Sequence, residues 1–531
     1  MRAHDKHHTS LSTRTVFLLT LIGSAILLAP SLTWDFAYDQ GTFAYGGAAL
    51  LDGAIPYVDF WDIKPPNIFY VYSAAFGLFG ETVFAIRLAD YLNALLTITL
   101  LFELSIRLWT GTPWGRLSAV MTSLLTIVQY YIMGGWNTAQ PETYALPWIL
   151  LSVLLLLPER DVEWKEKMIK AALAGFAIGI AVFFKYTFGV FLLLALAMLW
   201  ISTVRLKMNH TKLVFTVLGG FALSIGLQVL NLYVQGGLDD LYRITTTATL
   251  GYRDSNYSGS FGLEENLKTV AQNTDLLWLV VGVIGWSLWS LDHGARIKYE
   301  SLLYQTLLTL GLAAALSLFS VQVQNKGYQY HYWIALPWLN VLIGAGVAHL
   351  AIALHKIDAL PRGSNAWIVG IALVVLSYVW TSPGPLQARV AELMNVAEDK
   401  LPANGYIEGD SLAQVVLNNS QPSDSIFIFG FHPYIYWRTE RHPANRYLNT
   451  IHFKPSYVSQ ESRSELVSTL IQKPPKLLLV ETDDQYTSQG DSFDDSRTTI
   501  RNRYQEIESL LLTYYDSLTN VNGTIVYSRR Q

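Results

Sequence analysis

Residues 34–66 have the sequence WDFAYDQGTFAYGGAALLDGAIPYVDFWDIKPP, in which five aspartates accompany a single lysine. The stretch follows an apolar run at 15–33 and is too polar to cross a lipid bilayer itself. It belongs to a segment, residues 34–82, that is longer than a simple connection between two spans requires. We therefore treat this segment as the first candidate for a functional site, against the alternative of a solvated acidic loop with interfacial aromatic residues.

The composition of the whole chain is that of an integral membrane protein. Of its 531 residues, 51% are hydrophobic and 15% are charged, whereas an ordinary soluble domain has about 25% charged residues. The net charge of −4 leaves no strongly basic domain for a phosphate backbone, so no nucleic-acid partner is expected. The chain has no cysteine, which excludes disulfides, iron–sulfur clusters and thiol catalysis.

Apolar runs predict about eleven transmembrane helices, because a helix needs about 20 apolar residues to cross the hydrocarbon core. The expected fold class is therefore a mainly α-helical polytopic membrane protein. The runs are approximately residues 15–33, 83–106, 117–133, 144–157, 171–184, 188–204, 213–234, 274–291, 302–320, 332–354 and 367–382. A cleaved signal peptide is the alternative for the first run, but that run is longer than the apolar core of a signal peptide and no A-x-A site follows it.

The distribution of lysine and arginine predicts the orientation, since basic residues near the ends of spans stay cytoplasmic. With the N-terminus inside, alternate loops carry most of the basic residues that lie between the spans. These residues are Arg107, Arg116, Arg160, Lys165, Lys167, Lys170, Arg205, Lys207, Lys212, Arg296, Lys298, Lys356 and Arg362. We expect a plasma-membrane protein with a cytoplasmic N-terminus and with residues 34–82, 235–273 and 383–531 outside.

The chain divides into two predicted domains, a transmembrane domain at residues 1–382 and a small extracytoplasmic α/β domain at residues 383–531. In the second domain, the runs SIFIFG at 425–430, KLLLVET at 476–482 and GTIVYSRR at 523–530 predict strands, and residues 462–471 predict a helix between them. In the first domain, residues 41–53 and 65–80 predict short interfacial helices rather than spans.

Asp39 and Lys64 are the residues of the 34–66 stretch with the clearest chemical roles. Pro65 and Pro66 restrict the backbone around Lys64, which would hold its ammonium in a defined place where it can bind phosphate. Asp39, in YDQG, is placed to accept a proton from a hydroxyl or an amine, or to bind a divalent cation. The alternative for Asp39 is the N-cap of the helix that follows it.

Four further ionisable residues fall near the predicted outward ends of spans. They are Glu142 after GGWNTAQP, Lys185 in FFKYTFG, and Lys326 and His331 in NKGYQYHYW. Charged groups at this depth are costly, which makes them functional candidates. Snorkelling to the interface is the alternative for Lys185, and an interfacial structural role is the alternative for His331. The sequence has no Walker A motif and no HExxH motif, so it gives no support to nucleotide or zinc-protease chemistry.

Together these pieces resemble the membrane glycosyltransferases of the GT-C class. The nearest group is the protein O-mannosyltransferase and aminoarabinose-transferase-like family, or glycosyltransferase family 39-like. The resemblance rests on YDQG after the first span, LLDGAIPYVDFWDIKPP, LFG followed by Arg87, FFKYTFG, and KGYQYHYWIALP. The resemblance extends over about the first 380 residues, an extent that we take from the hydropathy pattern. The order of these motifs on the predicted topology carries the resemblance, rather than any single motif.

The resemblance implies inverting transfer of a sugar from a polyprenyl-phosphate-linked donor to an acceptor at the outer face of the membrane, where the acceptor is a protein, a lipid or a glycan. Asp39 stands at the place of the family's catalytic base. Asp62 only approximately matches a second acidic position, because Ile63 separates it from Lys64. Lys64 stands where the family has a lysine that contacts the lipid phosphate.

The resemblance also places Lys185 and His331 on the phosphate side of the site, and Lys326, close to His331 in the sequence, is a further candidate for phosphate binding. Candidate supporting or acceptor-side positions are Tyr38, Gln40, Asp59 and Glu142. Many members of the family have a glutamate where this chain has Gln40, which leaves the role of a second carboxylate there in doubt. The lipid carrier supplies an activated sugar, so no nucleotide site is required; no cofactor is assigned, and the use of a divalent metal ion is left open.

Two other functions fit the same pattern of spans. One is a transporter or flippase of lipid-linked sugars, and the other is a structural assembly protein whose outward domain binds a partner. A transporter would place ionisable residues near the bilayer midplane on broken helices, whereas the acidic residues of this chain collect in an outward loop.

Overall fold

A computed structural model describes the chain at residues 11–110, 114–158, 162–206, 210–254, 263–274, 280–287, 302–356, 407–454, 458–484, 487–488, 491–492 and 494–530. The first helices are α1 (Thr13–Leu28), α2 (Tyr38–Leu51), α3 (Asn67–Phe79), α4 (Val83–Leu108), α5 (Gly115–Asn137), α6 (Pro141–Leu156), α7 (Trp164–Val182) and α8 (Phe191–Leu206). They continue with α9 (His210–Gln235), α10 (Leu238–Arg243), α11 (Leu250–Asp254), α12 (Leu263–Thr274), α13 (280–287), α14 (Leu302–Gln324) and α15 (Leu336–Lys356). Short 3-10 segments lie at Ala29–Thr33, Tyr186–Val190 and Gln329–Ile334, and a π-helical segment, Ile244–Thr249, joins α10 to α11.

The helices confirm a mainly α-helical, multi-pass membrane protein. Nine of the eleven predicted spans coincide with α1, α4 to α9, α14 and α15. Half of the predicted span at 274–291 lies outside the described residues, and the described half includes α13 (280–287). The predicted span at 367–382 lies entirely outside the described residues. Among the described residues, five helices are long and apolar enough to cross a membrane: Thr13–Thr33, Val83–Leu108, Gly115–Asn137, His210–Gln235 and Gln305–Gln324.

Glycine sets the close packing of α7 against α9. A Cβ atom at Gly175 would lie 2.0 Å from the carbonyl oxygen of Val217, and one at Gly220 would lie 2.0 Å from that of Ala172. The missing side chains let the two backbones approach, as small residues do between membrane helices. The end of α7, which leads directly to Lys185, is thereby fixed against its neighbour.

The two short helices expected in the first loop are present as α2 and α3. With 14 and 13 residues they are shorter than a span needs. Much of α2 is buried rather than open to the interface, because α3 and a helix of the tail both pack on it. A Cβ atom at Gly47 would lie 2.7 Å from Cβ of Tyr72 in α3, and one at Gly41 would lie 2.7 Å from Cβ of Tyr434.

The tail is an α/β unit, as expected from its alternating apolar runs. Its helices are α16 (Ile407–Asn419), α17 (Tyr434–Thr439), α18 (Gln460–Gln472), α19 (Ser496–Arg503) and α20 (Gln505–Tyr514), and a 3-10 turn lies at Ile451–Phe453. Its strands are β1 (Ser425–Phe429), β2 (His442–Pro443), β3 (Leu477–Glu481), β4 (Thr487–Ser488), β5 (Asp491–Ser492), β6 (Tyr515–Val521) and β7 (Thr524–Arg529). The predicted boundary between residues 382 and 383 lies outside the described residues.

The main sheet of the tail has the strand order β2-β1-β3-β7-β6. β2, β1 and β3 are parallel, whereas β7 is antiparallel to both β3 and β6. Every residue of β3 is buried, as expected for a continuous apolar strand that is covered on both faces. β4 and β5 form a separate two-stranded sheet.

Candidate active site

A cavity of about 330 Å³ lies where the helical bundle, the first loop and the tail meet. The bundle and its loops contribute ionisable residues to the cavity wall: Asp39, Lys64, Lys185, Arg253, Lys326 and His331. The tail contributes Phe431, Asn449, Ile451 and His452. Residues 34–82, the α10–α11 region and the tail therefore lie at the same end of the bundle.

Asp39 and Lys64 meet at the wall of this cavity. The Lys64 ammonium lies 3.3 Å from Oδ1 of Asp39 and 5.0 Å from the centre of the Phe43 ring. The Lys64 and Asp39 side chains are 20% and 17% exposed, so they face the cavity but are shielded from bulk water. Asp39 is not the N-cap of α2, which is Ala37. It lies in the first turn, where the helix dipole stabilises a carboxylate.

The loop around Lys64 is fixed by its own hydrogen bonds. The Lys64 amide donates to Oδ1 of Asp62 at 2.9 Å, and the Tyr57 hydroxyl donates to the Lys64 carbonyl at 2.8 Å. Asp62 is buried behind the loop rather than on the cavity wall, and burial raises its pKa. Burial alone would lower the pKa of Lys64, but the charges of Asp39 and Asp62 outweigh it and raise that pKa above its usual value. Lys64 therefore stays a cation.

The N-terminus of α2, which carries Asp39, is anchored by Gln40 and Arg87. Oε1 of Gln40 accepts hydrogen bonds from the Ala37 amide at 2.7 Å and from Nη2 of the buried Arg87 at 2.9 Å. Nε2 of Gln40 donates to the carbonyl oxygens of Gly135 at 2.7 Å and of Thr138 at 2.5 Å. Gln40 thus ties α2 to the end of α5 and does not line the cavity.

Glu142, Lys185 and His331 form a second charged cluster beside the first. Glu142 is fully buried in the first turn of α6 and forms an ion pair with Lys185, and Nε2 of His331 lies 3.9 Å from the same carboxylate oxygen. Burial lowers the pKa of Lys185 despite the nearby Glu142. Burial also lowers the pKa of His331 far below its usual value, and the neighbouring lysines add to this effect, so His331 is neutral. The Lys185 side chain turns towards Glu142 and the cavity rather than snorkelling to an interface.

The remaining predicted residues are divided between the cavity and the surface. Lys326 lines the cavity with its ammonium 4.3 Å from the centre of the Tyr252 ring. Tyr38 also lines it and stacks on Phe431 of the tail, with ring centres 5.1 Å apart. Asp59 is exposed, accepts a hydrogen bond from the Ile55 amide, and is not on the cavity wall.

Sequence reasoning missed the part of the wall that comes from distant segments. Tyr252 lies in α11, and its hydroxyl is 3.2 Å from that of Tyr328. Asn449 and His452 belong to the tail, and nothing in the local sequence signals that the tail folds back over the bundle. The predicted topology offered one signal for Tyr252. This residue lies in the long 235–273 segment, which is predicted to lie on the same side of the membrane as Asp39.

The charges suit an anionic ligand. Three lysines and Arg253 face the cavity, whereas Asp39 is the only carboxylate on its wall among the described residues. Such a cation-rich, partly shielded cavity binds phosphate well. Within the described part of the chain, no group of three or more His, Asp or Glu side chains gathers in a way that would hold a metal ion.

Comparisons with known proteins place this geometry in context. Residues 63–227 match the family model described as dolichyl-phosphate-mannose-protein mannosyltransferase. No curated protein matches the sequence. Among solved structures, the chain is similar to ArnT from Cupriavidus metallidurans bound to undecaprenyl phosphate, with a TM-score of 0.60 and 15% identity over 98% of both chains.

A second similar structure is the archaeal oligosaccharyltransferase AglB from Archaeoglobus fulgidus, solved with an inhibitory peptide and a dolichol-phosphate. Its TM-score is 0.51 and its identity is 12%, over 98% of this chain and 75% of AglB. At these identities the similarity shows a shared fold. The fold class expected from the sequence is thereby confirmed.

Proposed function

We propose that this protein, which has the fold of the GT-C membrane glycosyltransferases, transfers a sugar from a polyprenyl-phosphate-linked donor to an acceptor, with inversion at the anomeric carbon. The observation that carries the proposal is the Asp39–Lys64 pair, 3.3 Å apart on the wall of a cation-rich cavity. The matched family model and the undecaprenyl phosphate bound to the similar ArnT structure support this class of donor.

Lys64 binds the donor phosphate, and Lys185 and Lys326 lie close enough on the same wall to share its charge. When the bond from the anomeric carbon to the phosphate oxygen breaks, the leaving polyprenyl phosphate gains negative charge. Fixed cations in a shielded cavity stabilise that charge without having to reorganise. Aromatic rings lie beside two of these cations: Tyr330 beside Lys185, at 5.6 Å, and Tyr252 beside Lys326, at 4.3 Å.

Asp39 acts as the general base. The acceptor oxygen or nitrogen forms a bond to the anomeric carbon as its proton passes to the Asp39 carboxylate. Without donor, Asp39 is paired with Lys64. A phosphate that attracts the Lys64 ammonium leaves the carboxylate free to accept the proton, so donor binding prepares the base.

The membrane position follows from the donor. Its polyprenyl tail lies in lipid while its phosphate lies at the water boundary, where the loops that form the cavity are found. The placement of basic residues on the opposite loops supports an outward-facing cavity, and we assign it to the outer face of the plasma membrane with the N-terminus in the cytoplasm. Residues 1–382 then carry the chemistry, and the described part of the tail, from residue 407, contributes to the cavity wall.

Transport of a lipid-linked sugar is the alternative function. Asp90, buried in α4, is the kind of membrane acid that a transporter would use. However, its Oδ2 accepts a hydrogen bond from the Tyr130 hydroxyl at 2.5 Å, and Arg87 lies one turn away, so its charge has a structural explanation. The family match likewise supports transfer over transport.

The experiment that tests the function uses purified protein in liposomes that contain synthetic polyprenyl-phosphate sugars of several kinds, together with candidate acceptors of each class: a peptide, a lipid and a glycan. Transfer releases polyprenyl phosphate and moves the labelled sugar to a new acceptor, which mass spectrometry detects. A transporter would instead move the intact donor between leaflets without releasing polyprenyl phosphate. Mass spectrometry of lipid-linked products in cells that lack the protein identifies the natural sugar.

A further inference from the structure

The guanidinium of Arg446 in the tail joins three separate parts of the protein. Nη1 donates to the carbonyl oxygen of Tyr57 at 3.0 Å and to Oδ1 of Asp240 at 2.8 Å, and Nη2 donates to Oε2 of Glu465 at 2.7 Å. Tyr57 belongs to the first loop, Asp240 to α10 and Glu465 to α18. A single side chain therefore holds the tail, the α10 region and the first loop together.

The backbone of the same residue makes a further contact with the first loop. The Trp61 amide donates to the Arg446 carbonyl at 2.8 Å. The Trp61 indole is 3% exposed and packs among tail rings, with ring centres 5.8 Å from Tyr447, 5.5 Å from His452 and 6.0 Å from Phe453. The first loop is thus inserted into the tail rather than resting on its surface.

These contacts lead directly to Lys64. Tyr57, whose carbonyl accepts from Arg446, uses its hydroxyl to bind the carbonyl of Lys64. Its φ is +73°, a left-handed conformation that tyrosine adopts only when its surroundings impose it. The Thr249 hydroxyl donates to the Ile63 carbonyl at 3.3 Å, so the loop is also held on the side of the α10–α11 region.

The other member of the catalytic pair is backed by the tail as well. Gly41 lies two residues after Asp39, and a Cβ atom there would come within 2.7 Å of Cβ of Tyr434 and 2.8 Å of its backbone nitrogen. The tail helix α17 therefore presses directly on the first turns of α2. Both the Asp39 side and the Lys64 side of the pair rest against the tail.

We propose that the tail domain is a positioning element of the transfer site, and that Arg446 is the positioning residue that fixes Lys64 at the cavity. The inference rests on the proposed function, because the purpose of the positioning is to hold Lys64 against the donor phosphate. It differs from a tail that only recruits an acceptor. Such a tail would need no hydrogen bonds to the loop that carries Lys64.

The first test compares Arg446→Met and Arg446→Lys with the unaltered full-length protein in liposomes. Arg446→Met removes all three guanidinium contacts. We expect about 100-fold slower transfer, because a displacement of about 1 Å, here of the Lys64 ammonium, has an effect of this size. Its affinity for polyprenyl phosphate should fall as well. Arg446→Lys keeps the charge and one contact, and should recover part of both.

The matched control is Arg497→Met. Arg497 is partly buried and pairs with Glu508 inside the tail, between α19 and α20. Its loss perturbs the tail domain without touching the first loop, so transfer and polyprenyl phosphate affinity should stay near the unaltered values. An equal loss in both variants would mean that general damage to the tail, and not positioning by Arg446, explains the effect.

A second measurement does not depend on activity. Hydrogen exchange of the amides at residues 57–64 should be faster in Arg446→Met and unchanged in Arg497→Met. If Arg446→Met fails to fold, Asp240→Ala takes its place, because it removes one contact outside the tail and leaves the Arg446–Glu465 pair intact. Two results for the variant would overturn the positioning role. One is unchanged hydrogen exchange at residues 57–64, and the other is faster exchange with unchanged transfer and unchanged affinity for polyprenyl phosphate.

The two proposals fail in different ways. If the unaltered protein transfers no sugar from any polyprenyl-phosphate donor, the proposed function is wrong. Hydrogen exchange at residues 57–64 and the affinity for polyprenyl phosphate still test whether Arg446 positions the first loop. If transfer occurs but Arg446→Met leaves exchange, affinity and rate unchanged, only the positioning role is wrong.

Discussion

The Lys64 ammonium and the Asp39 carboxylate lie 3.3 Å apart although 25 residues of sequence separate them. The pair bridges the start of α2 and the Pro65–Pro66 turn that leads into α3. Because the two opposite charges attract each other, their pairing offsets part of the cost of holding each charge away from bulk water. In the proposed mechanism, a donor phosphate would compete with Asp39 for the Lys64 ammonium, and donor binding would thereby free the base.

Replacing the base is expected to stop catalysis without preventing binding. Asp39→Asn keeps the shape of the side chain but removes its ability to accept a proton, so transfer should fall by about 10²–10⁴-fold. Labelled-sugar transfer in liposomes measures the rate, and a polyprenyl phosphate titration checks that the site is intact. Asp59→Asn, at an exposed aspartate off the cavity wall, is the control and should behave like the unaltered protein. Wild-type transfer by Asp39→Asn would reject Asp39 as the base.

Replacing the proposed phosphate ligand should mainly weaken binding. Lys64→Met removes a charge-assisted contact of about 1.5–3 kcal/mol, which corresponds to a 10- to 100-fold weaker affinity for polyprenyl phosphate. Fluorescence titration against vesicles that contain polyprenyl phosphate measures this loss. Lys268→Met, which alters a lysine that is 56% exposed on α12, should leave the affinity unchanged. Equal affinities for the two variants would argue against Lys64.

The Glu142–Lys185 pair is expected to contribute to stability. Glu142→Gln would leave the Lys185 ammonium in a shielded place without its counter-charge, a change that costs about 3–5 kcal/mol when a buried pair is broken. Thermal unfolding in detergent, followed by size-exclusion chromatography, should show a lower midpoint for this variant. The double variant Glu142→Gln with Lys185→Met should recover much of the loss. A single variant as stable as the unaltered protein would show that the pair is not a stabilising contact.

Stability should also depend on pH through His452. Burial, together with the charges of Lys64 and Lys326, lowers the pKa of His452 to about 3. Below the usual histidine pKa of about 6.5, the unfolded chain binds a proton that the folded chain rejects, so stability falls as the pH decreases, by up to about 1.4 kcal/mol per pH unit. Above that pH the effect is absent.

His452→Gln should therefore lose less stability than the unaltered protein between pH 7.5 and 5.0. The measurement is the difference in unfolding midpoint between the two pH values. His442→Gln, at an exposed histidine of the same domain, is the control and should follow the unaltered protein. Parallel pH profiles for His452→Gln and the unaltered protein would contradict the assignment.

The elements of the fold could be predicted because their signals are local. The continuous apolar runs at 425–430 and 476–482 predict β1 and β3, and the structure places these strands at Ser425–Phe429 and Leu477–Glu481. Long apolar runs likewise locate most of the spans. Asp39 and Lys64 could be suspected together, because both lie in one acidic loop between two spans.

The contacts across the molecule could not be predicted. Arg446 and Tyr57 are 389 residues apart, and no periodicity indicates that they meet. Glu142 and Lys185 were both suspected, but not as partners, since their pairing depends on how the α6–α7 hairpin returns to the cavity. Asp90 lies within the apolar run at 83–106, and the sequence does not reveal that Tyr130 donates a hydrogen bond to it from another helix.

Phe431, Asn449, Ile451 and His452 of the tail form one side of the chamber that would hold the activated sugar. A chain that ended before residue 407 would leave that side open to the solvent. Water is small and abundant, and beside an exposed anomeric carbon it competes with any acceptor. If the proposed function holds, such a shortened protein would transfer the sugar to water and release free sugar slowly, in place of the proposed transfer to an acceptor.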